Sequence, residues 1–136
     1  MIVDANVILR AFFPDEMQLK AQALIRDHVS GRVQLIAPTL LTYEVANAVL
    51  QAVRRERVTD EDAKAILVAV EGLSIEAEPV FWQQMLPLAR RFDRSAYDAA
   101  YLALAEAREE SLITGDLRLY NAVHDHLDWV QWIGDL

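Results

Sequence analysis

Four carboxylates in this chain sit where a charge is hard to keep. Asp98 is the only charged residue in Ala96-Tyr-Asp-Ala-Ala-Tyr-Leu-Ala-Leu-Ala105, a stretch dominated by strong helix formers. An ionised carboxylate buried without a partner is costly enough that it would normally neutralise, so a cation or a donor cluster is expected beside it. Asp4 directly follows the apolar run Met1-Ile-Val3, and Asp116 follows Ser111-Leu-Ile-Thr-Gly115, which puts both at the tips of predicted strands. Glu44 falls on a helix starting near Pro38, with Leu40, Leu41 and Ala48 three or four positions away on the same face. No Lys or Arg takes a predicted inward position beside any of the four. Four acids of this kind suit a hard divalent cation, and with no cysteine in the chain any metal is oxygen-bound.

The elements that must position these acids alternate between short apolar runs and longer helical stretches, the pattern of a parallel sheet with crossover helices. Five strands are predicted at Met1–Asp4, Val33–Ile36, Leu73–Glu76, Leu112–Thr114 and Trp129–Ile133. Helices are predicted over 5–12, 16–30, 38–56, 60–71, 80–92, 96–109 and 117–124. Asp15-Glu16, Gly31, Thr59-Asp60-Glu61-Asp62 and Gly72 supply the starts and stops. In an open parallel sheet, ligands bind beyond the carboxyl ends of the strands, and right-handed crossovers bring the following helix N-termini to that same edge. Asp4, Glu44, Asp98 and Asp116 can therefore converge there.

A length of 136 residues without repeat, low-complexity segment or composition break reads as one domain, 1–136. No apolar run is long enough to span a bilayer and no secretory leader pattern opens the chain, so no membrane association and a cytoplasmic location are expected. A net charge of −8 argues against a general nucleic-acid coat but leaves local contact open. Eleven of the thirteen basic residues are Arg, clustered at Arg54-Arg55-Glu56-Arg57 and at Arg90-Arg91-Phe92-Asp93-Arg94. The second cluster leads into the helix of Asp98, which makes Arg90, Arg91 and Arg94 candidate phosphate contacts against the plainer reading of solvated helix ends.

Each acid also has a purely structural reading. Asp4 and Asp116 fit helix caps, Ser95-Ala-Tyr-Asp98 fits a capping box whose acid reaches back to the Ser95 amide, and Glu44 fits a partly solvated helical acid. Four such residues have no structural reason to share one edge of one sheet. His124, His126 and His28 read as surface or helix-end residues rather than metal ligands.

The set Ile2-Val-Asp4-Ala-Asn6-Val-Ile8, Glu44 within Leu40-Leu-Thr-Tyr-Glu-Val-Ala-Asn-Ala48, Tyr97-Asp-Ala-Ala-Tyr-Leu-Ala-Leu-Ala105 and Leu112-Ile-Thr-Gly-Asp116-Leu resembles a PIN domain. More narrowly it resembles the VapC-type toxins of bacterial and archaeal toxin–antitoxin pairs, in order and over essentially the whole chain. The resemblance implies a three-layer α/β/α fold with a five-stranded parallel sheet flanked by helices. It implies a metal-dependent endoribonuclease using Mg²⁺ or Mn²⁺, one ion or two. It further implies inhibition by a cognate antitoxin, a homodimer, and contact with DNA only through that antitoxin. By position, Asp4, Glu44, Asp98 and Asp116 are the metal-binding acids, while Asn6 and Thr114 would steady their rotamers from behind. Mutual repulsion should strain the metal-free pocket, so Asp98→Asn is expected to raise its melting temperature.

Other acidic α/β folds fit less well. A response-regulator receiver needs a paired acid after the first strand and a Lys after the last. A haloacid-dehalogenase-like phosphatase needs Asp where Asn6 stands and a catalytic Lys. The chain has only Lys20 and Lys64, at neither place. A catalytically idle PIN-fold module acting through protein association is the remaining alternative.

Overall fold

The computed structural model describes residues 1–136. Five strands and seven helices alternate: β1 (Ile2–Val3), α1 (Ala5–Phe12), α2 (Gln18–Val29), β2 (Ile36–Pro38), α3 (Leu40–Arg54), α4 (Asp60–Gly72), β3 (Glu76–Glu78), α5 (Trp82–Phe92), α6 (Ala96–Arg108), β4 (Leu112–Thr114), α7 (Leu117–Val123) and β5 (Val130–Trp132). A short 3-10 turn, Ile133–Asp135, follows β5. All strands pair in parallel in the order β3-β2-β1-β4-β5. Every strand is two or three residues long, so the sheet is held by packing on both faces more than by its ladders.

Helices cover the sheet in the expected three layers. On one side α1 packs against α2 and α3, and α3 against α4; α6 lies against β1, β2 and β4, with α5 on top of it. Sandwiched between sheet and α5, α6 buries seven consecutive residues from Ala99 to Ala105. A helix apolar all round needs cover all round, and its alanines let both neighbours approach closely. Ile2, Ile36, Leu102, Leu112, Ile113 and Ile133 are fully buried within one continuous cluster.

Two strands begin about three residues later than the sequence predicts, β2 because His28 takes the amide ahead of it and β3 because the end of α4 runs on through Leu73 and Ser74. His28, expected to be solvated, is half-buried: its Nδ1 accepts from the Leu35 amide (3.0 Å), and its Nε2 lies 2.8 Å from the Leu73 carbonyl. Leu35 therefore spends its N–H on a side chain, and the β2 ladder opens only with the Ile36 amide donating to the Met1 carbonyl at 3.0 Å. Leu73 is likewise tied to His28, and Ser74 turns the chain through the left-handed region (φ 52°) before β3 starts. No helix is long and apolar enough to cross a membrane.

Candidate active site

Asp4 ends β1 and caps α1, so the capping reading and the site reading meet in one residue. Its Oδ1 accepts from the Val7 amide (3.0 Å) and from the Gly115 amide (3.2 Å), while the Thr114 hydroxyl donates to Oδ2. The residue is 3% exposed. Burial pushes its carboxyl up to about 6; the three hydrogen bonds pull the other way, and repulsion from Asp116 adds to the rise.

Thr114 and Gly115 bring Asp116 to Asp4. The fully buried Thr114 hydroxyl also accepts from the Asp116 amide at 2.9 Å. A Cβ on Gly115 would lie 2.9 Å from Asn6 Cβ and 3.0 Å from the Val7 nitrogen, so only glycine lets the β4–α7 turn close on the first turn of α1. Asp116 caps α7 through Oδ1, which accepts from Arg118 (2.9 Å) and Leu119 (3.3 Å) amides, and its Oδ2 takes no hydrogen bond from the chain. Asn6 is exposed and its side chain makes no hydrogen bond, so of the two residues expected behind the carboxylates only Thr114 touches one.

Glu44 and Asp98 come from α3 and α6 and are held by side chains. The buried Tyr101 hydroxyl donates to Glu44 Oε1 at 2.5 Å. Burial raises the Glu44 carboxyl, opposed by the Tyr101 bond and assisted by repulsion from Asp98. Tyr101 is itself pushed far up by burial and by Glu44, with a contribution from Asp4, so its proton stays in place. The phenol thus sits within electrostatic reach of both halves of the pocket.

The capping box is half formed. Ser95 Oγ accepts from the Asp98 amide at 3.1 Å, but the Asp98 carboxylate turns to Arg94, whose Nε donates to it at 3.2 Å. This corrects the expectation that no basic residue stands beside an acid of the set. Arg94 lies in the α5–α6 turn, where the left-handed Asp93 (φ 51°) closes α5 and the Arg94 amide bonds back to the Ala89 carbonyl at 2.9 Å; helical periodicity gives no direction for such a residue. Arg90 and Arg91 are exposed, with the Arg91 guanidinium 4.7 Å over the Phe92 ring. Arg10 carries no signal in the sequence, yet it donates to the Gly115 carbonyl (2.9 Å) and to Asp15 (2.5 Å), bracing the turn before Asp116 from behind.

The description PIN domain fits residues 1–124 as a family model. This chain belongs to the PIN domain family. VapC ribonuclease Mb0985 of Mycobacterium bovis is 33% identical over 119 residues, covering 88% of this chain and 87% of that protein. Ribonuclease VapC3 of Pyrobaculum aerophilum is 29% identical over 123 residues, with 88% and 91% covered. The crystal structure of PAE2754 from Pyrobaculum aerophilum superposes with a TM-score of 0.76 at 22% identity, over 98% of this chain and 90% of that one.

The donor set of this PIN domain suits a hard cation in kind. Every candidate ligand is a carboxylate oxygen, and Asp4, Glu44 and Asp116 have no basic partner, Asp98 alone being paired. The side chains do not close on a point: no three acids are gathered tightly enough, as they stand, to hold one ion together.

Proposed function

We propose that this PIN domain is a metal-dependent endoribonuclease, the toxin of a type II toxin–antitoxin pair, and that Asp4, Glu44, Asp98 and Asp116 bind its Mg²⁺ or Mn²⁺, one ion or two. The single observation that carries the proposal is Asp4: a buried carboxyl, raised to about 6, supplied with three hydrogen-bond donors and no basic side chain. Such a group is poorly satisfied by the protein alone and well satisfied by a divalent ion. The VapC ribonuclease names of the relatives support RNA as the substrate class and an antitoxin as the partner, and a homodimer belongs to the same proposal.

A bound divalent ion would supply charge neutralisation at the scissile phosphate and an acidified water. The chain's own residues do the rest. Thr114 and the Val7 and Gly115 amides fix the Asp4 rotamer. Tyr101 holds one oxygen of Glu44, leaving the other to orient the attacking water. Asp116 presents a free Oδ2. Arg94 would exchange Asp98 for a substrate phosphate, with Arg90 and Arg91 beside it.

Purified, partner-free protein should cleave single-stranded RNA with Mn²⁺ or Mg²⁺, and chelator or Asp4→Asn should abolish cleavage. Residual cleavage by the variant at the wild-type level would mark a contaminant and remove Asp4 from the site. The Arg94–Asp98 pair and the open spacing of the acids favour one other reading, a catalytically idle module acting through protein association. Equal absence of cleavage in wild type and variant, with retained antitoxin binding, would establish that reading.

A further inference from the structure

The cluster Arg54-Arg55-Glu56-Arg57 is unused by the site described so far. It closes α3 in a specific way: Glu56 takes the left-handed conformation (φ 58°), and the Arg57 amide bonds back to the Ala52 carbonyl at 2.9 Å. That turn folds Arg57 back over the last turns of α3, beside Arg55. Both are exposed, and neither meets a carboxylate within ion-pair distance, in a protein carrying a net charge of −8.

The two arginines close one end of a groove of about 310 Å³ between α1 and α3, floored by Leu9, Phe13, Ala48 and Ala52. Both helices begin at the carboxyl edge of the sheet, α1 directly after Asp4 and α3 directly after β2. Glu44 is one helical turn before Ala48 on the same face, so the floor runs from the acidic pocket toward the arginines. Arg55 follows Glu44 by eleven positions, about 16 Å along the α3 axis. The groove is apolar along its floor and basic at one end, and Glu44 stands one helical turn beyond its other end.

We propose that this groove carries the single-stranded RNA away from the scissile bond, with Arg55 and Arg57 holding a flanking phosphate and the apolar floor receiving unpaired bases. The occupant rests on the nuclease reading above; the groove and its charge do not. Guanidinium pairs suit phosphate because each presents two parallel donors, and an apolar floor suits bases whatever their sequence. Arg90, Arg91 and Arg94 lie at the α5–α6 end of the pocket, so phosphates would be held on both sides of the reacting one.

The test is binding of a labelled single-stranded RNA of roughly 12 nucleotides in chelator, where no cleavage occurs, across a range of salt. Arg55→Gln/Arg57→Gln should weaken binding about tenfold or more and reduce the salt slope by about 0.7, the share of one phosphate on a single strand. Arg55→Lys/Arg57→Lys should keep the slope and lose part of the affinity. Thermal midpoints should stay together in all three proteins, which separates lost contact from lost fold. Equal affinity and slope in the glutamine variant overturns the proposal. So does an oligoglutamate of matched charge that binds more tightly than RNA and releases in the glutamine variant, since the groove is then built for an acidic protein segment. If wild type cleaves RNA while the variant binds it equally, the groove fails and the nuclease stands. If RNA binds through these arginines but is never cleaved with Mn²⁺, the nuclease reading fails and the groove stands.

Discussion

Asp4 and Asp116 are held by backbone amides and a buried threonine, whereas Glu44 and Asp98 are held by the tips of other side chains, Tyr101 and Arg94. The first pair sits on turns that leave the central strands β1 and β4, and its geometry is as rigid as the sheet edge. The second pair is carried on α3 and α6 and adjusts with rotamers. A pocket built this way has one fixed wall and one movable wall. Removing a support of the fixed wall should cost folding energy, while removing a support of the movable wall should cost mainly ligand affinity.

The largest effect is expected from Asp4→Asn, which should lower RNA cleavage on the order of 1000-fold. The same substitution tests stability with a definite sign. The Asp4 carboxyl rises from 3.8 to about 6 on folding, chiefly through burial, so its proton is held more tightly in the folded state. Its contribution to stability is complete below about pH 3.8 and is lost as pH rises through 6, a loss of about 3 kcal/mol. The neutral side chain of Asp4→Asn would keep the two amide bonds and donate to Thr114 Oγ1, without that loss. The metal-free variant should therefore be more stable at pH 7.5, by up to about 3 kcal/mol, and flatter in its pH dependence. Denaturant unfolding at about pH 4 and about pH 7.5 measures both, and an identical pH response in the two proteins would separate Asp4 from the strain. Asp98→Asn, the substitution the sequence singles out for this role, is displaced from it because Arg94 already balances Asp98.

Next in size is Thr114→Val, a swap of similar volume at a fully buried position. It strips a donor from Asp4 and an acceptor from the Asp116 amide, leaving both without that partner. A cost of about 2–4 kcal/mol is expected in denaturant unfolding, with weaker Mn²⁺ binding in calorimetry. A cost under about 0.5 kcal/mol would mean that the wall is not fixed by this hydroxyl.

Tyr101→Phe probes the movable wall. Loss of the 2.5 Å bond frees Glu44 at a stability change of about 1 kcal/mol and weakens Mn²⁺ about tenfold. Unfolding and calorimetry on the same samples give the comparison directly: Thr114→Val should move stability more, Tyr101→Phe affinity more. The reverse order would dissolve the distinction between the walls.

What the sequence discloses follows the same division. Strand tips and helix starts are written in local residue types, so Asp4, Thr114 and Asp116 can be placed at one sheet edge from the order of apolar runs and caps. Helix faces can be read too, which brings Glu44 and Asp98 inward. Contacts that depend on where a side chain reaches across the fold cannot. His28 delays the start of β2 by taking the Leu35 amide and reaches across to the Leu73 carbonyl ahead of β3. Arg94 sits in a turn, where no periodicity points it at Asp98. Tyr101 lies three residues after Asp98 on α6, close enough to share its face, but an aromatic on an apolar helix looks like core until its hydroxyl has a partner.

The smallest effect, and the one that separates two meanings of the movable wall, belongs to Arg94→Gln. The pair is partly exposed and spans four residues, so its loss should change stability by less than about 0.5 kcal/mol. Its effect on ligands has opposite signs under two accounts. If Arg94 serves as a stand-in cation that leaves when a metal arrives, removing it frees Asp98, and Mn²⁺ should bind several-fold more tightly while RNA binds more weakly. If Arg94 instead aims Asp98 at the ion, removing it should weaken Mn²⁺ as Tyr101→Phe does. Arg94→Lys keeps the charge without the planar fork, so it should restore the wild-type Mn²⁺ affinity under the first account and not under the second. Calorimetry with Mn²⁺ alone decides the sign, and tighter metal with weaker RNA in one variant requires the guanidinium to move between the two.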